Sequence, residues 1–309
     1  MLTNDPFEDV LRVINEQLLG QVPLACDVKQ RLTASGLSTN AGLGDIYGWL
    51  SKCQKQEAPK VSEAHICVFA SSYTGGADPK EVSDFIGAAA KGMAPVNRFC
   101  VDHGIGLRVL EMAPEIPHQV GDSWTEIDCT RAVAFGMEAA AAGGDLLGVS
   151  DIAPGNVPGK LALIASCDPE LGADWLRSLH GCDDINDVAI DVFEEHSNAR
   201  VKPLEALRLL GGREVAGCLG AFIAARSKNL PVSIDGWAAM SAFAVLKAIN
   251  VSVTDHIRLA SCHNRLQEQA ASALGIQPIV GTYIDAGSGC GTALSVSVFK
   301  AAIDTVRTT

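Results

Sequence analysis

Basic residues are scarce. In 309 residues, 24 Lys and Arg stand against 36 Asp and Glu, a formal net charge of −12. Nucleic-acid binding rests on clustered cations that neutralise phosphates, and the cations here are scattered, so a nucleic-acid partner is not expected. Apolar runs of membrane-spanning length are also missing, because the longest are broken by Gly, Asp or Arg at about the length of a core helix. The N-terminus, Met-Leu-Thr-Asn-Asp-Pro-Phe-Glu-Asp, shows neither a basic nor an apolar region of a secretory signal. Of the 10 cysteines, none forms a Cys-x-x-Cys pair, and Cys67 and Cys218 lie inside apolar runs. That pattern reads as free core thiols in a reducing cytoplasm. His180-Gly-Cys-Asp-Asp brings only one His and one Cys together with no complementary pair following, so no metal site is expected.

What is present is apolar material in abundance, 48% of the chain, enough to fill a sizeable core. Residues 1–58 carry helical spacing (Phe7, Val10, Leu11, Ile14, Leu18, then Ile46, Trp49, Leu50) and read as a small helical segment. From residue 59 to 309 the pattern changes to short β-branched runs alternating with Ala- and Gly-rich helices. The runs are His65–Ala70, Leu107–Leu110, Asp145–Val149, Pro231–Asp235 and Pro278–Val280. Strands separated by helices with short links pair in parallel through right-handed crossovers. The predicted class is therefore α/β: an open, mostly parallel, Rossmann-like sheet with helices on both faces, plus the helical segment, which the last helix is expected to join.

In such sheets ligands bind beyond the carboxyl ends of the strands, and four loops there are unusual. Tyr283-Ile-Asp-Ala-Gly-Ser-Gly-Cys-Gly-Thr-Ala-Leu294 places Gly287, Gly289 and Gly291 at alternate positions between an apolar run and a helical one. Glycines at such spacing let a turning backbone aim N–H groups at an anion beside a helix N-terminus, although close packing alone explains the same pattern. Ser150-Asp-Ile-Ala-Pro-Gly-Asn156 and Asp235-Gly236 each put a carboxylate at a strand end. Ser71–Val82 turns into a helix expected to be capped by Asp78 with Pro79 in its first turn. Four such loops at one sheet edge predict a pocket.

Taken in order, residues 92–111, 145–156 (Asp-Leu-Leu-Gly-Val-Ser-Asp-Ile-Ala-Pro-Gly-Asn), 210–217 (Leu-Gly-Gly-Arg-Glu-Val-Ala-Gly), 231–237 (Pro-Val-Ser-Ile-Asp-Gly-Trp), 273–279 and 287–294 (Gly-Ser-Gly-Cys-Gly-Thr-Ala-Leu) resemble the nicotinate-nucleotide:dimethylbenzimidazole phosphoribosyltransferases of cobalamin biosynthesis. The resemblance covers residues 65–305. It implies a homodimer without a cofactor that binds a nicotinate-mononucleotide-type donor and an aromatic base. Ser150, Gly155, Asn156, Gly287, Gly289, Cys290, Gly291 and Asp235 would then bind ligand, and Lys80, in a segment like the family's Ser-Ala-Tyr-Pro-Gln-Glu-Val-Thr, would help line the base pocket.

The family's reaction uses the glutamate of Gly-Glu-Gly-(Ser/Thr)-Gly as general base. Here that position is Ser288, whose hydroxyl is not basic at neutral pH without a partner. The family's His-Arg-Ser-Ala-Glu-Pro-Gly-His segment is Ala260-Ser-Cys-His-Asn-Arg-Leu-Gln267, and its Ala-Asp-His-Gly is Ala70-Ser-Ser-Tyr73. Asp151 stands at a family pocket glutamate. It either serves as the reassigned base or caps the loop that follows. Three functions follow as alternatives: a phosphoribosyltransferase with a changed acceptor or base, an enzyme cleaving the same glycosidic bond with another nucleophile, and a non-catalytic binding subunit.

Overall fold

The computed structural model describes residues 5–18, 23–74, 79–121, 124–181, 183–196 and 202–307. Three helices come first: α1 Pro6–Arg12, α2 Cys26–Ala34 and α3 Gly42–Gln54. Strand β1, Ala64–Ala70, is followed by α4 Pro79–Ala90, α5 Pro95–His103, β2 Gly106–Glu111 and α6 Glu126–Gly136. Next come β3 Leu146–Ile152, α7 Val157–Cys167, α8 Ala173–Ser178, α9 Asp183–Glu195, α10 Pro203–Ala206 and α11 Arg213–Ser227. The chain closes with β4 Val232–Ile234, α12 Trp237–Ile249, β5 Ile257–Leu259, α13 Arg265–Ala273 and α14 Cys290–Arg307. Pro79 opens α4 as expected, while the predicted cap Asp78 lies outside the described residues.

The five strands form one sheet in the order β2-β1-β3-β4-β5, and every pairing is parallel. β1 reads Ala-His-Ile-Cys-Val-Phe-Ala with almost no polar interruption because it is covered on both faces. Cys67 and Phe69 enter a cluster with α6, α7, α11 and α12, whereas Ile66 and Val68 enter a second cluster with α3, α5 and α14. The alternation is the period-two geometry of a strand sandwiched between two helical layers. The helices of residues 1–58 are divided between those layers. Val10, Ile14 and Leu18 pack in the first cluster, and Val28, Leu32, Tyr47 and Leu50 pack with Phe299 and Ile303 of α14 in the second.

One strand differs from expectation. The sheet's fifth strand is Ile257–Leu259, and the run Pro278–Val280 makes only an isolated bridge beside it. Pro278 has no N–H to donate, so the pairing stops at two bonds, from Ile279 N to Leu259 O and from Val280 N to Ala260 O (2.9 and 2.8 Å). The glycine loop is thus entered from irregular chain, not from a strand. Among the described residues no helix is long and apolar enough to cross a membrane.

Close packing of α11 on α6 depends on absent side chains. A methyl group at Gly220 would lie 1.9 Å from the carbonyl oxygen of Val133, whereas at Gly87 of α4 it would meet nothing within 4 Å. Gly220→Ala is therefore expected to destabilise the protein by about 1–3 kcal/mol through overpacking. Gly87→Ala should instead stabilise it by about 0.5–1 kcal/mol, the helix-interior preference for alanine. Urea unfolding of the two variants checks the contrast in sign.

Candidate functional site

The strand order reverses direction between β1 and β3, and the polar residues gather at the carboxyl ends of the strands around that point. Near its carboxyl end β3 carries Ser150 and Asp151, both buried. The N–H of Ala238, in the first turn of α12, donates to Asp151 Oδ1 at 3.0 Å. Between them Gly236 (φ 92°) admits no side chain, since a Cβ there would fall 2.3 Å from the same oxygen. Asp151 Oδ2 lies 3.5 Å from Lys160 Nζ on α7, and Lys160 Nζ lies 3.3 Å from Glu214 Oε1 at the start of α11. All three side chains are at most 8% exposed. Tyr73, just past β1, shares its hydroxyl between Glu214 and the carbonyl of Gly211, which also accepts Asn156 Nδ2 at 3.1 Å.

These groups form one buried charge cluster. Burial pushes the Asp151 carboxyl above its ordinary pKa, with Lys160 opposing and Glu214 adding to the rise. For Lys160, burial disfavours the cation, but the two carboxylates outweigh it and the ammonium is held more firmly than usual. Burial and the Glu214 charge keep Tyr73 neutral, its pKa far above the ordinary value.

A second group sits around the glycine loop. The N–H of Gly289 (φ 81°) donates to Ser150 Oγ at 2.9 Å, and the N–H of Gly291 donates to Asp235 Oδ2 at 3.0 Å. Two of the three glycine N–H groups expected to face an anion are therefore engaged by the protein. Gly287 and Ser288 keep N–H groups with no partner among the described residues. A Cβ at Gly289 would press Val96 Cγ2 at 3.0 Å, so packing as well as approach requires glycine there. Asp235, fully buried after β4, also bonds His263 Nε2 at 2.9 Å through Oδ1. Ile284 N donates to Cys262 O at 2.9 Å and ties the loop against the end of β5.

The residues singled out from the sequence fare differently. Asp151, Ser150, Asp235, Gly289 and Gly291 meet at the sheet edge. Ser288 is half-buried and Gly287 exposed in the adjoining turn. Gly155 (φ 96°) is exposed ahead of α7, while the Asn156 side chain is spent on Gly211. Cys290 belongs to the apolar cluster beneath, its thiol pushed up to about 12 by burial. Lys80 is largely exposed on α4 and pairs with Asp84.

Lys160, Glu214 and His263 were not singled out in the sequence. The signal for Lys160 was a lone cation heading an otherwise apolar helix, Gly-Lys-Leu-Ala-Leu-Ile, and for Glu214 a carboxylate followed at once by Val-Ala-Gly-Cys-Leu. His263 lay in a segment noted only for what it had lost.

The comparisons with known proteins agree with this architecture. Residues 28–309 match a family model described as phosphoribosyltransferase. The chain is 31% identical to the nicotinate-nucleotide:dimethylbenzimidazole phosphoribosyltransferase of Allorhizobium ampelinum over 97% of its own length and 93% of that protein. It is 32% identical to the like-named protein of a Sinorhizobium species, covering 96% and 93%. The fold matches the crystal structure of the nicotinate-nucleotide:dimethylbenzimidazole phosphoribosyltransferase from Thermus thermophilus with a TM-score of 0.77 at 21% identity, over 91% of this chain and 95% of that one.

Removing one member of a buried ionic cluster leaves uncompensated charge, which costs about 3–5 kcal/mol. Lys160→Met is therefore expected to lower the calorimetric melting temperature by roughly 10 °C, at about 2–4 °C per kcal/mol for a chain of this size. A change below about 2 °C would mean that water reaches the cluster and screens it.

Proposed function

The chain belongs to the nicotinate-nucleotide:dimethylbenzimidazole phosphoribosyltransferase family, and from that premise we propose a transferase with an altered general base. It moves the phosphoribosyl group of a nicotinate-mononucleotide-type donor onto an aromatic nitrogen base other than the family's preferred acceptor. The observation that carries the reading is Ser288. It occupies the position that the resemblance gives to the family's catalytic glutamate, while the glycines around it persist.

In this reading the donor's phosphate lies near the N–H groups of Gly287 and Ser288 and the Gly155 turn before α7, where a helix dipole favours an anion. Ser150 and Asp235 hold the loop through the Gly289 and Gly291 N–H groups. Asp151 fixes the start of α12 against β3, because one oxygen receives the Ala238 N–H and the other faces Lys160. Burial raises the Asp151 carboxyl above its ordinary pKa while Lys160 opposes the rise, and the Ser288 hydroxyl is not basic at neutral pH without a partner. The donor carries its own driving force. As the C1′–N bond breaks, its electron pair neutralises the pyridinium of the departing nicotinate. The same reading makes the protein a cytoplasmic homodimer, which light scattering would contradict by finding only monomer.

The test is to incubate the chain with nicotinate mononucleotide and a panel of benzimidazoles, purines and related heterocycles, reading nicotinate and ribotide by mass spectrometry. Acceptor-dependent nicotinate release is expected, with dimethylbenzimidazole slower than the best acceptor. Equal release without any acceptor would identify a glycosidic-bond hydrolase. No release under any condition, with the nucleotide still bound, would identify a non-catalytic binding subunit.

A further inference from the structure

A histidine that the family pattern does not contain stands beside the glycine loop. It is His263, four residues past the end of β5, in the segment where the family has His-Arg-Ser-Ala-Glu-Pro-Gly-His and this chain has Ala260 to Gln267. Its position is built from several sides. Its backbone N–H donates to Gln267 Oε1 at 2.6 Å, and the N–H of the buried Gln267 in turn donates to Asn264 Oδ1 at 3.0 Å. Its ring Nε2 lies 2.9 Å from Asp235 Oδ1. The carboxylate can only accept, so Nε2 carries the proton and the lone pair belongs to Nδ1. Nδ1 has no bond to the protein among the described residues, and the side chain, 27% exposed, opens at the same sheet edge. Asp235 is wholly buried, and its other oxygen holds the Gly291 N–H at the head of α14. The arrangement is an imidazole oriented by a buried carboxylate, the geometry of a general base with its positioning group.

We propose that His263 is the general base that replaces the missing glutamate, with Asp235 as its positioning residue. The assignment rests on the transferase reading above. In the step it serves, Nδ1 takes the proton from one ring nitrogen of the acceptor while the other ring nitrogen attacks C1′ of the donor. The C1′–N bond to nicotinate breaks, and its electrons return to the pyridine ring. Nitrogen–carbon bond making and breaking balance, and the imidazolium left behind is stabilised by Asp235 until it loses its proton to solvent.

Burial works against the charged imidazole, yet the hydrogen bond and charge of Asp235, helped by Asp151 on β3 and Asp285 in the loop before α14, hold its pKa above the ordinary 6.5. The neighbouring thiols of Cys262 and Cys290 are pushed up to about 12 and carry no charge. A base with a raised pKa is inactive below it. The kcat/KM with an N–H acceptor should therefore fall as pH drops through a value above 6.5, on a limb set by His263.

His263→Gln keeps an N–H donor for Asp235 but has no basic nitrogen. With the best acceptor from the panel, kcat is expected to fall about 10²–10⁴-fold and the acid limb to vanish, while calorimetric Kd for nicotinate mononucleotide stays within about threefold. An N-methylbenzimidazole acceptor has no proton to lose, so wild type and His263→Gln should transfer to it at similar rates. Imidazole added to His263→Ala should restore part of the lost rate with N–H acceptors. If His263→Gln matches wild type with N–H acceptors, or loses N–H and N-methyl acceptors equally, the assignment fails while the transferase reading stands. If wild type transfers to no acceptor at all, both fall together.

Discussion

The buried contact of Lys160 with Asp151 and Glu214 holds several elements together at the sheet edge. It ties the end of β3 to α7 and α11, and through the Ala238 N–H it reaches α12. Three buried ionisable groups are tolerable only together. Desolvating an ammonium or a carboxylate costs several kcal/mol, which is offset only where opposite charge and hydrogen bonds are already in place. Tyr73 and the Gly211 carbonyl supply those bonds, and Asn156 secures the carbonyl from the other side. The cluster is thus a constraint on how α7 and α11 approach the switch point of the sheet. Its geometry fixes where the loops around the site begin.

How much of this was legible in the sequence depends on whether one element decided its own environment. β1 and the first half of β3 announce themselves because their short apolar runs, Ile66–Ala70 and Leu146–Val149, suit a strand covered on both faces. β5 does not, because Ile-Arg-Leu is three residues long and its half-buried Arg258 is carried by an ion pair with Asp45 in α3. Pro278–Val280, more β-like by composition, lost to it because proline cannot extend a ladder. Lys160 was invisible for a related reason. A lysine reads as surface in any local window, and what buries this one is a pair of carboxylates contributed by distant segments.

The glycine loop shows the same limit from the other side. Its spacing correctly marks a tight backbone beside a helix N-terminus, and Gly287 and Gly289 do adopt positive φ. Sequence cannot show which acceptors meet the N–H groups. Ser150 and Asp235 claim two of them, so much of the loop's anion-seeking character is directed inward, at the strands, and holds α14 in place. What faces outward is the shorter stretch at Gly287 and Ser288.

The two carboxylates at the strand ends therefore have different electrostatic lives, although the sequence presents them alike. Asp151 faces a buried cation 3.5 Å away, which opposes but does not outweigh the rise in pKa that burial imposes on it. Asp235 faces one backbone N–H and an imidazole. A single N–H dipole compensates much less than an ammonium does, and the surplus negative potential falls on the imidazole ring, where it favours a proton. Environments that push otherwise similar groups apart are how one site separates structural from proton-transferring roles. Under the proposed assignment the separation would follow from placing Lys160 beside one carboxylate and His263 beside the other. On the proposed reading, a serine in place of the family's glutamate removes a base from the glycine loop but leaves the potential that a base at this sheet edge would use.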